Sequence, residues 1–153
     1  MPSVHALDQG TTGSTALVIA ADGDVVGRSY REFTQHFPAP GMVEHDAEEI
    51  WRVTLDTARE ALEAAGEVPQ AIGITNQRET VVVWDRETGK PLHRALVWQD
   101  RRTTARCRQL AAELGQDYVA QRTGLVWDPY FSGRERGAAT PSSGPWTHGS
   151  STG

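Results

Sequence analysis

Residues 4–7 and 14–20 form two short apolar runs, and Leu7-Asp8-Gln9-Gly10-Thr11-Thr12-Gly13-Ser14 joins them. This arrangement constrains the fold more than any other feature. It predicts two β-strands folded back on each other, with a carboxylate at the mouth of the hairpin. Gly10 and Gly13 let backbone N–H groups approach phosphate oxygens, Thr11 and Thr12 add hydroxyl donors, and Asp8 suits Mg²⁺ directly or through water. No Lys-Ser/Thr pair follows, and the flanks read as hairpin strands, so this is not a Walker A loop. Asp-x-Gly-Thr beside strands also makes an ordinary turn, and the loop alone leaves both readings open.

Ala21-Asp22-Gly23-Asp24 turns the chain into a third run, residues 25–33, which predicts a three-stranded antiparallel meander. Phe37-Pro38-Ala39-Pro40-Gly41 then breaks the sheet pattern. Asp46 with Glu49 resembles a capping box opening a helix, with Ile50, Trp51, Thr54, Leu55, Ala58, Ala61, Leu62 and Ala65 on its inner face. Gly66 and Pro69 end that helix. Strands are predicted over 71–75, 81–84 and 95–98, with Glu87-Thr88-Gly89-Lys90 turning between the last two. Residues 101–114 predict a helix with Ala105, Leu110, Ala111 and Leu114 inward, and a short helix follows over 118–121. Together these elements give a mixed α/β domain.

The 153 residues suffice for one domain with a real core. A net charge of -5 argues against a general nucleic-acid or anionic-membrane surface. No apolar run approaches the ~20 residues needed to span a bilayer, and residues 1–5 do not read as a signal peptide. The lone Cys107 fits a reducing, cytoplasmic setting and a structural role. The five histidines show no metal-ligand spacing, and His45 and His93 read as isolated, with surface or local hydrogen-bonding roles.

Three further clusters carry chemistry. Gly73-Ile74-Thr75-Asn76-Gln77-Arg78-Glu79-Thr80 puts Arg78 and Glu79 in a loop at a strand end. Val97-Trp98-Gln99-Asp100-Arg101-Arg102 puts polar groups at another strand end before a helix. Thr123-Gly124-Leu125-Val126-Trp127-Asp128-Pro129-Tyr130-Phe131-Ser132-Gly133 is an aromatic-rich loop. Strand ends of α/β sheets are where ligand groups converge. An Arg–Glu pair with an indole face and a Tyr hydroxyl suits a small polyol, the charged pair bonding hydroxyls and the aromatic covering carbons. An exposed ion pair beside core aromatics is the alternative for each cluster taken singly.

Taken in order, LDQGTT, REF, PAPGMVEHDAEEIW, GITNQRET, ETGKP, VWQDRR and TGLVWDPYFSG resemble glycerol kinases, carbohydrate kinases with the actin-like ATPase fold. The resemblance covers residues 4–133. DxGTT-type loops occur across the kinase group, whereas GITNQRET and DPYFSG are more particular to glycerol kinases than to pentulose or gluconate kinases. The fold implied is α/β: the N-terminal part of an actin-like ATPase (ribonuclease H-like) domain, a mixed sheet with flanking helices. The activity implied is ATP-dependent phosphorylation of glycerol to sn-glycerol 3-phosphate with Mg²⁺, in a cytoplasmic, homo-oligomeric enzyme. By matching, Asp8, Gly10, Thr11, Thr12 and Gly13 lie at the ATP phosphates, with Asp8 at the metal. Arg78, Glu79 and Tyr130 contact glycerol hydroxyls, and Trp98 walls its carbons. The usual TTSSR is here Thr12-Gly13-Ser14-Thr15, so Thr15 replaces an arginine that approaches the phosphates and cannot neutralise their charge.

Family members are several times longer, and the resemblance puts the aspartate general base and the adenine-binding domain outside this sequence. An isolated half-cleft is then expected to be inactive, since phosphoryl transfer depends on positioning between both lobes. A different sugar or polyol kinase of the same fold, or a non-catalytic ligand-binding or interaction module derived from the half-domain, are the competing readings.

Residues 134–153 contain no Val, Ile, Leu, Met or Phe and are rich in Gly, Ser, Thr and Pro, which predicts disorder. Residues 143–153 back-translate to codons that, shifted by one base, encode Phe-Gly-Thr-Val-Asp-Thr-Trp, similar to a motif further along glycerol kinases. The expected organisation is thus an incomplete first kinase domain over 1–133 and a frameshifted tail over 134–153.

Overall fold

The computed structural model describes residues 2–131; the disorder and frameshift expected of residues 134–153, and Ser132 and Gly133 of the last motif, lie outside the described residues. Strands β1 (Ser3–Gln9), β2 (Gly13–Ala20) and β3 (Val25–Glu32) form the meander, antiparallel throughout, with Asp8 opposite Thr15. The turn between β1 and β2 closes with the Gly10 N–H donating to the Gly13 carbonyl at 3.0 Å. At Gly13 a Cβ would sit 2.3 Å from the Arg31 carbonyl oxygen, so the chain there has room only for glycine.

Helix α1 (Ala47–Ala65) lies across β2 and β3. Asp46 caps it, its carboxylate accepting from the Glu48 and Glu49 N–H groups at 2.9 and 3.2 Å, a bond pattern worth about 1 kcal/mol. The reciprocal half of the expected capping box is replaced. The Glu49 carboxylate turns to the end of β3 and accepts from the Thr34 N–H and hydroxyl. Gly66 ends the helix in the left-handed conformation. The buried face is Ile50, Thr54, Thr57 and Ala61, and Ala61 packs with Ala16 and Val18 of β2. Trp51, expected inward, is 61% exposed. The helix is rotated because small residues set the seam: at Gly27 of β3 a Cβ would lie 2.2 Å from the Ala61 carbonyl oxygen, so α1 rides on bare backbone. Trp51 instead joins Val82, Trp84 and Pro91 around an open depression.

After β4 (Gln35–His36), β5 (Glu44–His45) and α1, the chain returns as β6 (Ala71–Asn76), parallel to β1 at the sheet edge, completing the order β3-β2-β1-β6. All six residues of β6 are exposed, including Ile72 at 65% and Ile74 at 74%. Strand β6 is therefore an uncovered, apolar sheet edge.

Strands β4 and β5 pair with β7 (Ala95–Leu96) in a second sheet that the sequence pattern does not predict, antiparallel in the order β4-β5-β7. The predicted strand over 81–84 is not formed. Val81 bridges Leu96 and Trp84 bridges Pro91, but nothing regular lies between. The predicted turn is present, with the Asp85 carboxylate accepting from the Glu87 and Thr88 N–H groups. Helix α2 (Thr104–Leu114) starts three residues later than expected, and Cys107 and Ala111 are its buried residues. Ala105 is exposed and Leu114 largely so. Helix α3 is Tyr118–Thr123. A buried ionic cluster ties β5 to the approach to α2: Arg102 bonds Glu44 at 2.6 Å and Asp100 at 2.9 Å, and Asp100 accepts the Val43 N–H at 2.8 Å.

Candidate functional site

The carboxyl ends of β1 and β6 and the loop after β7 converge on the Gly10–Gly13 turn. In the paired register Asp8 sits between Thr15 of β2 and Thr75 of β6. The three line a depression of about 400 Å³ in the sheet, floored by Ala6, Leu17 and Gly73. One carboxylate flanked by two hydroxyls is a hard-oxygen donor set, open enough for phosphate oxygens to complete it. That suits a cation held by one protein carboxylate plus substrate phosphates, as Mg²⁺ usually is. Among the described residues no group of three His, Cys, Asp or Glu side chains could hold a metal by itself.

Thr11 is the hinge of the site. Its hydroxyl accepts the Trp98 indole N–H at 2.8 Å, leaving its own proton to donate, while its carbonyl accepts from Gln35 at 3.0 Å. Thr12 is exposed and its carbonyl receives the Phe33 N–H. Gly13 is buried against β3, so the outward part of the loop is Gly10, Thr11 and Thr12.

Trp98 is half-buried, and its ring meets Tyr130 edge-on at 5.8 Å. Tyr130 is held by a contact that the motif itself does not announce: Asp128 accepts both the Tyr130 N–H and the Arg101 guanidinium, each at 2.8 Å. Trp98 and Tyr130 thus form one aromatic corner, joined to the glycine turn through Thr11.

Arg78 and Glu79 lie in the span from Gln77 to Thr80. The Gln77 N–H bonds the Gln9 carbonyl at 2.7 Å, and Val81 pairs with Leu96 two residues before Trp98. The loop is therefore tied at one end to the close of β1, just before the glycine turn, and at the other to β7, just before the turn that carries the indole. Glu79 has φ 65°, and no other non-glycine among the described residues takes a positive φ. Such strain is held only where surrounding structure over-determines it, and it concentrates at ligand sites.

His45, expected to be isolated, is fully buried behind this loop. Its Nε2 lies 2.7 Å from the Gln35 side-chain oxygen and its Nδ1 is 3.2 Å from the Gln77 side-chain nitrogen. Burial pushes its pKa down to about 4, with His36 adding to the effect and Glu49 opposing it. The Gln77 within GITNQRET is the one sequence signal for this network.

The described residues therefore join Trp98 and Tyr130 to the glycine turn through Thr11, and tie the ends of the Arg78–Glu79 span to β1 and β7. The model of the FGGY family of carbohydrate kinases, N-terminal domain, matches residues 3–135. The chain belongs to that family. It is 60% identical over 137 residues to the glycerol kinase of Trichlorobacter lovleyi, covering 87% of this chain and 27% of that one. It is 54% identical over 134 residues to the glycerol kinase of Rhodospirillum centenum, covering 86% and 27%. The FGGY chain spans about a quarter of the length of these relatives. Among solved structures, the Plasmodium falciparum glycerol kinase with ADP superposes with a TM-score of 0.82 at 31% identity, over 86% of this chain and 27% of that one. The ligand-bound xylulose kinase of Lactobacillus acidophilus gives 0.79 at 15% identity over 85% and 26%, a likeness of fold. No helix among the described residues is long and apolar enough to cross a membrane.

Proposed function

We propose that this chain supplies the polyol-facing and phosphate-facing half of an ATP-dependent glycerol kinase acting in the cytoplasm. The observation that carries the reading is the left-handed Glu79 backbone in a span tied at Gln77 to the end of β1 and at Val81 to β7, in a chain 54–60% identical to glycerol kinases. Arg78 offers a donor fork and Glu79 an acceptor, the complement of two neighbouring hydroxyls. The Trp98 face covers the carbon chain, and the Tyr130 hydroxyl completes the set. A three-carbon polyol fits a site whose charged pair is adjacent in sequence and whose wall is a single indole.

Gly10, Thr11 and Thr12 present N–H and hydroxyl donors to nucleotide phosphates, and Asp8 with Thr15 and Thr75 would hold Mg²⁺. When bound, that ion neutralises phosphate charge and orients the transferring group. Thr11 touches both halves, because its hydroxyl carries the Trp98 indole while its loop faces the phosphates. The protein thereby fixes the distance between the acceptor hydroxyl and the phosphoryl group, which is most of what catalysis of phosphoryl transfer requires. A general base and the adenine-binding lobe would come from parts corresponding to the remaining length of the relatives.

The test is a chimera in which residues 1–131 replace the matching part of the Trichlorobacter lovleyi enzyme. ATP-dependent product formation is measured with glycerol, xylulose and gluconate. Turnover with glycerol far above the other two supports the reading; a preference for either sugar substrate overturns it.

A further inference from the structure

The hydrogen bonds behind the Arg78–Glu79 loop run in a single sense. The Gln35 side-chain nitrogen donates to two carbonyl oxygens, Thr11 at 3.0 Å and Phe33 at 3.3 Å, which fixes its oxygen toward His45. That oxygen is an acceptor only, so the imidazole must donate from Nε2, and its Nδ1 keeps a lone pair. The lone pair in turn requires the Gln77 side chain to present its nitrogen, turning the Gln77 oxygen toward Thr80, whose hydroxyl donates to it at 2.9 Å. Gln77 and Thr80 bracket Arg78 and Glu79. Each link determines the orientation of the next, from the glycine turn to both ends of the polyol loop.

We infer that His45 is a positioning residue, which through Gln35 and Gln77 sets the placement of the Arg78–Glu79 loop against the phosphate-facing Thr11 turn. The inference rests on the glycerol kinase reading for the meaning of that loop, but the relay itself is a property of this fold. His45 has the rigidity that such a link needs. It is fully buried, edge-on to the Phe33 ring at 5.0 Å, and anchored in β5, which α1 follows directly. A neutral ring is the form the relay needs, because a proton on Nδ1 would face the Gln77 donor nitrogen. The burial that holds the ring neutral, with His36 beside it and Glu49 opposing, therefore serves the geometry. Glu79 keeps its left-handed backbone only while both ends of its span are held.

Two measurements separate the relay from the kinase reading. In the full chain, nitrogen-detected NMR should show His45 protonated at Nε2 alone. His45→Phe should also speed amide exchange at Gln77, whose N–H bonds Gln9, at least tenfold more than at the buried strand position Val18. The Nδ1–H tautomer, or unchanged exchange at Gln77, overturns the relay. In the chimera, His45→Phe should raise the KM for glycerol about tenfold while kcat and the KM for ATP stay within about threefold, since misplacing the loop by a fraction of an ångström weakens polyol binding first. His45→Asn, which retains an acceptor near the Nδ1 position, should recover most of that loss, and His45→Gln should recover less. A lower yield of active enzyme with an unchanged KM for glycerol would mean a structural role only and overturns the positioning role. If the relay is present in the chain and the chimera carrying His45 ignores glycerol, the kinase reading fails while the relay stands.

Discussion

Replacing Glu79 by glycine and by alanine separates what its backbone costs from what its side chain does. At φ 65° an L side chain brings Cβ against the following carbonyl oxygen, at a cost of about 1–2 kcal/mol. Glycine escapes that cost but gives up about 0.5–1 kcal/mol more chain entropy on folding than alanine. The net expectation is that Glu79→Gly is more stable than Glu79→Ala by about 0.5–1 kcal/mol. Both variants lack the carboxylate, so the side chain's own interactions cancel from the comparison. Urea denaturation of the chain, with a slope of about 1–2 kcal/mol/M, should place the glycine midpoint about 0.3–1 M above the alanine midpoint. In the chimera the order disappears. Both variants should lose about five- to hundredfold in kcat/KM for glycerol, the cost of about 1–3 kcal/mol for leaving polar groups in a closed site unpaired. Equal midpoints, or a glycine variant that retains glycerol turnover, would refute the view that strain is held here to aim a carboxylate.

Asp100→Ala should destabilise the chain by about 3 kcal/mol or more, because it strips the Val43 N–H of its acceptor and leaves Arg102 with Glu44 alone; a urea midpoint within error of the parent would contradict this. His45 binds its proton more weakly folded than unfolded, so unfolding takes up a proton between pH 6.5 and about 4 and stability should fall as the pH drops through that window. His36 and Glu49 are the charged neighbours that tune the effect, and a denaturation series in which His45→Phe keeps the parent's pH slope would exclude His45 as its source. Ile74→Lys on the fully exposed β6 should reduce concentration-dependent association of the chain in light scattering, whereas undiminished association would place the adhesive surface elsewhere. In the chimera Asp8→Asn should lower turnover more than it weakens glycerol binding, and Thr15→Arg, which sets a cation beside Asp8, should lower the KM for ATP; the opposite pattern in either steady-state titration would misplace the phosphate site.

The elements legible in the sequence are those whose own periodicity or punctuation defines them. The meander follows from three short strand-like runs and two turn signals, and α1 from Asp46 at one end and Gly66 at the other. The two-residue strands β4, β5 and β7 have no period to read, because they exist only through partners elsewhere in the chain. Val81-Val82-Val83-Trp84 looks like a strand by residue type, yet it pairs at two points only. An indole on an amphipathic helix usually faces inward, but the contact at Gly27 that rotates α1 and turns Trp51 outward is long-range. The site divides in the same way. Asp8, Thr11, Arg78, Glu79, Trp98 and Tyr130 stand in motifs, whereas the neighbours of His45 in sequence say nothing of its role, since its partners Gln35 and Gln77 lie 10 and 32 residues away.

The central proposal is a division of labour between the Arg78–Glu79 loop with its aromatic corner and the Asp8 turn. The most direct measurement is a crystal structure of the chimera with glycerol, Mg²⁺ and a non-hydrolysable ATP analogue. The account predicts glycerol hydroxyls bonded to Arg78, Glu79 and Tyr130, its carbons against Trp98, and the metal and phosphates between Asp8 and the Gly10–Thr12 backbone. Glycerol bound away from the Arg78–Glu79 loop, or phosphates remote from Asp8, would contradict it.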